Sequence, residues 1–154
     1  MGPIALRIDH IGSTSLPGFA AKPIVDIQIS VVAFEPMEPY HRPLEALGFQ
    51  YRDRNPERTK RYFKEPDGME ERTHIHVRRA GSFSEQFPLL FRDYMRCHAT
   101  AASEYAQLKY QLAEQYREDR TGYTEAKDAF IWDLMRRADK WAQDIGWQSG
   151  PSDA

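Results

Sequence analysis

Gly81 divides the chain into two hydrophobic periods, and this division constrains the fold more than any other feature of the sequence. Before it, apolar residues recur at every second position; after it, they recur at about 3.6, the spacing of a helix face. Residues 24–33 form the clearest predicted strand. Val25, Ile27, Ile29 and Val31 share its core face, whereas Ile24, Asp26, Gln28 and Ser30 share the other. Residues 6–11 read as a strand before it and 49–52 as a strand after it. Between them, 38–47 is a predicted helix despite Pro43, closed by Gly48. Residues 61–65, a turn at Pro66-Asp67-Gly68, and 73–79 suggest a hairpin.

Beyond Gly81, residues 84–97 space Phe87, Leu90, Phe91, Tyr94 and Met95 as one buried stripe. Thr100 starts a second predicted helix, with Tyr105, Leu108, Leu112 and Tyr116 at helical intervals. Thr124 is the expected cap of a third, in which Phe130, Ile131, Leu134, Ala138, Trp141 and Ile145 line up before Gly146. A strand-rich front and a helical C-terminal half give an α+β fold, a mixed β-sheet covered by helices.

The 154 residues fit one domain over 1–148, with 149–154 expected to fray. With 41% hydrophobic and 29% charged residues, the composition is that of an ordinary globular protein. A formal net charge of -2 argues against a main role in neutralising nucleic-acid phosphates. Cys97 is the single cysteine, which excludes an intramolecular disulfide and a thiolate zinc cluster. No apolar run approaches the ~18 residues needed to span a bilayer. The first residues lack the basic flank and apolar stretch of a secretory signal, so a cytoplasmic location is the expectation.

The chemistry concentrates in two places. Gly12-Ser13-Thr14 forms a small-residue turn after the first strand, where backbone N–H groups and hydroxyls can meet a phosphate and a helix start would add its positive end. Asp26, on the next strand, is placed to hold a divalent cation bridging that phosphate, Mg²⁺, Mn²⁺ or Zn²⁺. The alternative has Ser13 or Thr14 capping a short helix and Asp26 facing water. Lys22, ahead of Pro23, sits at the mouth, where a cation steadies a phosphate. His74 and His76 emerge from one strand face and, with Asp26, compose a two-histidine, one-carboxylate set that suits Mn²⁺, Fe²⁺ or Zn²⁺ better than Mg²⁺. Alternatively, they hydrogen-bond phosphate or substrate oxygens, or face water. Arg61, Arg92, Lys109 and Lys127 either line an anion pocket or occupy the wet faces of their elements, Arg92 pairing with Asp93. Tyr62, Tyr94 and Tyr123 either stack on a nucleobase or pack in the core.

The run His-Ile-Gly-Ser-Thr-Ser-Leu-Pro-Gly-Phe-Ala-Ala-Lys-Pro-Ile-Val-Asp-Ile at 10–27 is followed in order by Arg61-Tyr62-Phe63 and His74-Ile75-His76-Val77. Then come Phe91-Arg92-Asp93-Tyr94-Met95-Arg96, Tyr105-Ala106-Gln107-Leu108-Lys109 and Tyr123-Thr124-Glu125-Ala126-Lys127. Together these motifs resemble the GrpB family over nearly the whole chain. The resemblance implies a nucleotidyltransferase-like fold and a nucleotide or other phosphorylated small molecule as ligand.

Active nucleotidyltransferases carry a Gly-Ser turn, then two carboxylates two residues apart, and often a third on a later strand. Here Gly12-Ser13 matches the turn and Asp26 the first acid. Gln28 stands at the second position, and His74 and His76 stand where the third acid would lie. Two-metal phosphoryl transfer in its usual form does not match this pattern.

Three readings follow. The first is nucleotidyl or phosphoryl transfer, with Gly12, Ser13 and Thr14 on phosphate, Asp26 on metal, and His76 or His74 as ligand or general base. The second is a nucleotide-binding module without catalysis. The third is an accessory or folding module acting with a coenzyme A pathway kinase, because a similar domain is fused to dephospho-coenzyme A kinase in some bacteria. Family members usually carry a helical segment before the first strand; its shortening here gives homodimerisation through that region as a further expectation.

Overall fold

Parity along the strands decides which residues meet. The computed structural model describes residues 1–16 and 24–154. In it, β1 (Arg7–Ile11), β2 (Val25–Val31), β3 (Gln50–Tyr51), β4 (Lys60–Lys64) and β5 (Thr73–Arg79) form a five-stranded sheet in the order β1-β2-β5-β4-β3. Only β2 and β5 run parallel, so the sheet is mixed. Helix α1 (Glu38–Ala46) follows β2, and α2 (Phe83–Cys97), α3 (Ala99–Gln115) and α4 (Arg120–Ile145) form the C-terminal half. Among the described residues no helix is long and apolar enough to cross a membrane.

One face of the sheet carries Ile29 and Val31 of β2, Phe63 of β4, and Ile75 and Val77 of β5, packed with Tyr40 and Leu44 of α1. Of the four odd residues of β2 expected to form the core, Ile29 and Val31 are buried and Ile27 packs against them, whereas Val25 is exposed. A second core joins α2, α3 and α4 through Phe91, Tyr94, Met95, Tyr105, Leu134, Met135 and Ala138. Helix α2 packs on β1 and β5, so the other sheet face is covered too. That face is polar and buried, with Asp9, Gln28, Ser30, His76 and Arg78 in the sheet and Glu85 and Arg92 in α2. The even face of β2 is therefore not lifted out as a unit: Gln28 is fully buried while Asp26 stays partly exposed.

Local chemistry sets the boundaries. The Ser82 side chain caps α2 by accepting from Glu85 N–H, and the Glu85 carboxylate accepts from Gly81 N–H at 2.8 Å, two otherwise orphaned donors satisfied together. Gly48, with φ of +94°, follows the end of α1, and Gly146 ends α4 in the left-handed conformation, as expected. Thr124 does not cap α4. Asp119 does, accepting from Gly122 N–H, while Thr124 lies inside the helix and donates to the Arg120 carbonyl. The C-terminal residues expected to fray instead lie along β1. Ser152 hydroxyl accepts from Ile8 N–H and donates to Ile8 C=O, and the Asp153 carboxylate accepts from His10 N–H.

Candidate metal and phosphate site

Adjacent registers in β2 and β5 place Asp26 opposite His74 and Gln28 opposite His76, and β4 sets Tyr62 opposite His76. All of these side chains share the polar face. His76 Nε2 lies 3.0 Å from Asp26 Oδ1, and His74 Nδ1 lies 3.4 Å from the same oxygen. One donor atom from each of the three residues falls within 4.8 Å of the others. His74 turns its Nε2 to Glu71 at 2.5 Å, and Glu71 also meets Lys64 Nζ at 3.3 Å. A histidine whose far nitrogen is held by a carboxylate is the usual outer support of a metal-ligating imidazole. Glu71 lies in the loop before β5, outside any motif read from the sequence, and a carboxylate three residues before a histidine was the available clue.

Burial pushes the Asp26 carboxyl up, but the hydrogen bond and charge of His76, and then those of His74, outweigh it and leave its pKa lowered. Burial also dominates at His76, with the Lys60 and Arg78 charges adding to it against the bond to Asp26, so the imidazole is held below its ordinary value. His76 makes this hydrogen bond to Asp26 through Nε2. Its Nδ1 is buried without a hydrogen-bond partner among the described residues. The Tyr62 ring stacks on His76, centroids 5.4 Å apart, and fixes the imidazole plane.

Gly12 meets this group from β1. Its φ is +71°, and a Cβ there would stand 2.9 Å from Asp26 Oδ2, so only glycine brings the backbone this close to the carboxylate. Ser13–Ser15 is a single turn of 3-10 helix rather than the start of a longer helix, so the expected positive helix end is absent. Thr14 is engaged by His10 Nε2 at 2.8 Å, Ser15 hydroxyl donates to Gly12 C=O, and Arg96 of α2 donates twice to Ser15 C=O. Gly12, Ser13, Asp26, His76 and Arg78 line a cleft of about 280 Å³ whose opposite wall is Phe87, Pro88, Phe91, Tyr105 and Ile131.

The expected cationic lining is largely elsewhere. Arg61 pairs with Val77 in the register and so occupies the opposite face, over the Phe34 ring at 4.2 Å. Arg92 is 3% exposed and donates to Asp93 at 2.9 Å, Asp9 at 3.3 Å and Asp153 at 3.1 Å; it organises a buried charge network rather than the cleft. Lys109 lies on α3 with its ammonium 5.6 Å from the Tyr105 ring, whose residue lines the cleft. Lys127 stands one helical turn before Ile131. Lys22 lies outside the described residues. Tyr94 packs in the helical core against His98 and Trp141. Among the described residues the cation that lines the cleft is Arg78, which directly follows the His-Ile-His-Val motif; its place two residues after His76 was the signal.

The donor set fits a borderline transition ion such as Mn²⁺ or Zn²⁺ better than Mg²⁺, which prefers oxygen ligands and retains water. Gln28 adds nothing to it: its Oε1 accepts from Arg78 and its Nε2 donates to the Glu85 carbonyl.

Residues 2–137 match the family described as GrpB protein. The chain belongs to the GrpB family. The UPF0157 protein YqkA of Bacillus subtilis is 39% identical to it over 141 residues, covering 91% of this chain and 40% of YqkA. Dephospho-CoA kinase of Mycolicibacterium paratuberculosis is 30% identical over 171 residues, covering 96% of this chain and 42% of the kinase. The chain thus spans about two fifths of the length of each of these two relatives. A crystal structure of the conserved protein GrpB from Enterococcus faecalis superposes with a TM-score of 0.79 at 31% identity, covering 92% of this chain and 85% of that one. The mixed sheet with its helical C-terminal half is therefore the GrpB fold.

Proposed function

We propose that the chain binds a nucleotide or similar phosphorylated small molecule in the cleft beside Asp26, with a divalent ion held by Asp26, His74 and His76, and that it performs nucleotidyl or phosphoryl transfer there. The convergence of three donor atoms within 4.8 Å carries this reading. Such an ion, when bound, supplies neutralisation of phosphate charge and polarisation of a phosphoryl oxygen. The chain's own residues do the rest. Gly12 lets the backbone approach the carboxylate, Ser13 offers a hydroxyl at the cleft wall, Glu71 orients His74, and Tyr62 orients His76. The apolar wall of Phe87, Phe91 and Ile131 keeps the local dielectric low, which strengthens contacts to charged oxygens.

A second reading is a binding or accessory module working with a coenzyme A pathway kinase; the match to about two fifths of a dephospho-CoA kinase favours it. Titration calorimetry with ATP, GTP and coenzyme A species, with and without Mn²⁺, tests both. Mn²⁺-dependent nucleotide binding with turnover that disappears in Asp26→Ala is the expected result. Binding without turnover favours the non-catalytic module. Absence of nucleotide binding, together with affinity for the kinase, would replace the transferase reading with the accessory one.

A further inference from the structure

Gln28 occupies the position of an expected carboxylate, and its actual partner explains the amide. Arg78 of β5 is 8% exposed, and its short hydrogen bond, Nη1 to Gln28 Oε1 at 2.8 Å, goes to a neutral group. Its nearest carboxylate oxygen, Glu57 Oε1, is 3.7 Å from Nη2, and the other oxygen of Glu57 is closer to Lys60 Nζ, at 3.0 Å. Arg78 Nε is buried and has no hydrogen-bond partner among the described residues. The Nε and Nη2 edge of a guanidinium is a planar fork matched to two oxygens of a phosphate or carboxylate, and here it is left without a close acceptor. A buried polar atom without a partner is costly, and with Glu57, among the described residues, the only carboxylate near it and at 3.7 Å, the unpaired Nε marks a place where an anion completes the fork.

The surroundings say which anion. Arg78 lines the cleft that holds Asp26 and His76, standing two residues beyond His76 on the same strand face, roughly 6–7 Å away at Cα. It also lines an adjoining cavity with Glu57, Arg79, Ser82, Ser84 and Trp132, so the space on both sides of it is open to a ligand. We infer that Arg78, held in place by Gln28, is the seat of a phosphate group of the ligand, and that Gln28 is an amide so that the Nε and Nη2 edge stays without a close acceptor until the ligand arrives. Gln28 is a positioning residue; Arg78 is the binding residue. The inference rests on the cleft taking a phosphorylated ligand, but it does not depend on the metal.

Inorganic pyrophosphate, titrated calorimetrically into the full chain in EDTA and low chloride, tests it directly. The wild type should bind pyrophosphate without metal. Arg78→Gln should weaken that binding roughly tenfold or more, as expected for a lost charged hydrogen-bond pair. Arg78→Lys should fall between, keeping the charge but losing the fork, and Gln28→Glu should weaken binding by neutralising the guanidinium. Thermal melts accompany each variant; should Arg78→Gln not fold, Arg78→Lys and the wild type decide. No metal-free binding by the wild type, or unchanged binding in a folded Arg78 variant, overturns the inference. Mn²⁺-dependent nucleotide binding that survives intact in Arg78→Lys would leave the proposed function standing while removing this seat, whereas loss of all ligand binding by the wild type with Mn²⁺ would remove both.

Discussion

At the scale of single residues, the site depends on a missing side chain. Gly12 combines a left-handed backbone with a Cβ position already claimed by Asp26 Oδ2. Gly12→Ala should therefore cost about 1–3 kcal/mol from backbone strain alone, and the carboxylate, forced to move, should lose its alignment with His76. A drop in melting temperature together with weakened Mn²⁺ affinity is the expected outcome, read by calorimetry and metal titration. Unchanged affinity at lowered stability would separate the glycine from the site. Sequence reading singled out Gly12, Asp26, His74 and His76, which the structure brings together, because each belongs to a pattern of period two or to a short motif. It left Arg61 between two places because its face follows from register, set by contacts between strands distant in the chain, and it passed over Glu71 because that residue lies in a loop outside every motif.

At the scale of elements, caps decide where the helices begin. Helix α4 starts at Arg120 because Asp119 accepts from Gly122 N–H at 3.0 Å. Gly122 permits this, since a Cβ there would run into the Asp119 carboxylate and the Tyr116 ring. Asp119→Ala should cost about 1 kcal/mol of stability, as removal of an N-cap side chain does. Thr124→Ala should cost almost nothing, because an interior hydroxyl bonded to a carbonyl four residues back gives the helix little. Paired chemical denaturation curves check both, and a larger effect at Thr124 would reverse the assignment. Period alone located this helix and its buried face. Its true start was hidden because Asp119 and Thr124 are both good caps in isolation. The strands and the hairpin of β4 and β5 were legible for the opposite reason: alternation and the Pro-Asp-Gly turn point to one answer.

At the scale of the whole molecule, a buried charge network ties the sheet, α2 and the C-terminal residues together. Asp9, 0% exposed, accepts from Arg7 at 2.6 Å and lies 3.3 Å from Arg92, which also meets Asp153; Trp147 Nε1 donates to Asp93 beside it. Burial pushes the Asp9 carboxyl up, but the bonds and charges of Arg7 and then Arg92 outweigh it, so its pKa is lowered. Between the ordinary aspartate value, about 3.9, and that lowered value, the unfolded chain binds more protons than the folded one. Stability from Asp9 is therefore complete above pH ~4 and is lost as the medium is acidified through the folded value. Asp9→Asn should lose on the order of 3 kcal/mol at pH 7, the cost of leaving buried guanidinium groups without their partner. Its stability should also fall less steeply than the wild type's below pH ~4. Equilibrium unfolding from pH 3 to 7 reads both effects, and parallel curves for the two proteins would assign the acid sensitivity to other carboxylates. Of this network only the Arg92–Asp93 pair was legible in the chain, since the rest joins residues near both ends to the middle of α2.

The parallel pairing of β2 with β5 at the centre of the sheet has one more consequence. Asp26, His74 and His76 are anchored to two neighbouring ladders whose separation is set by main-chain hydrogen bonding, with β1 and β4 clamping them from outside. Such a mounting cannot breathe to suit its guest, as a loop can. Were the proposed ion bound there, selectivity by size would be built into the backbone, to be retuned only through the side chains that project from an unyielding floor.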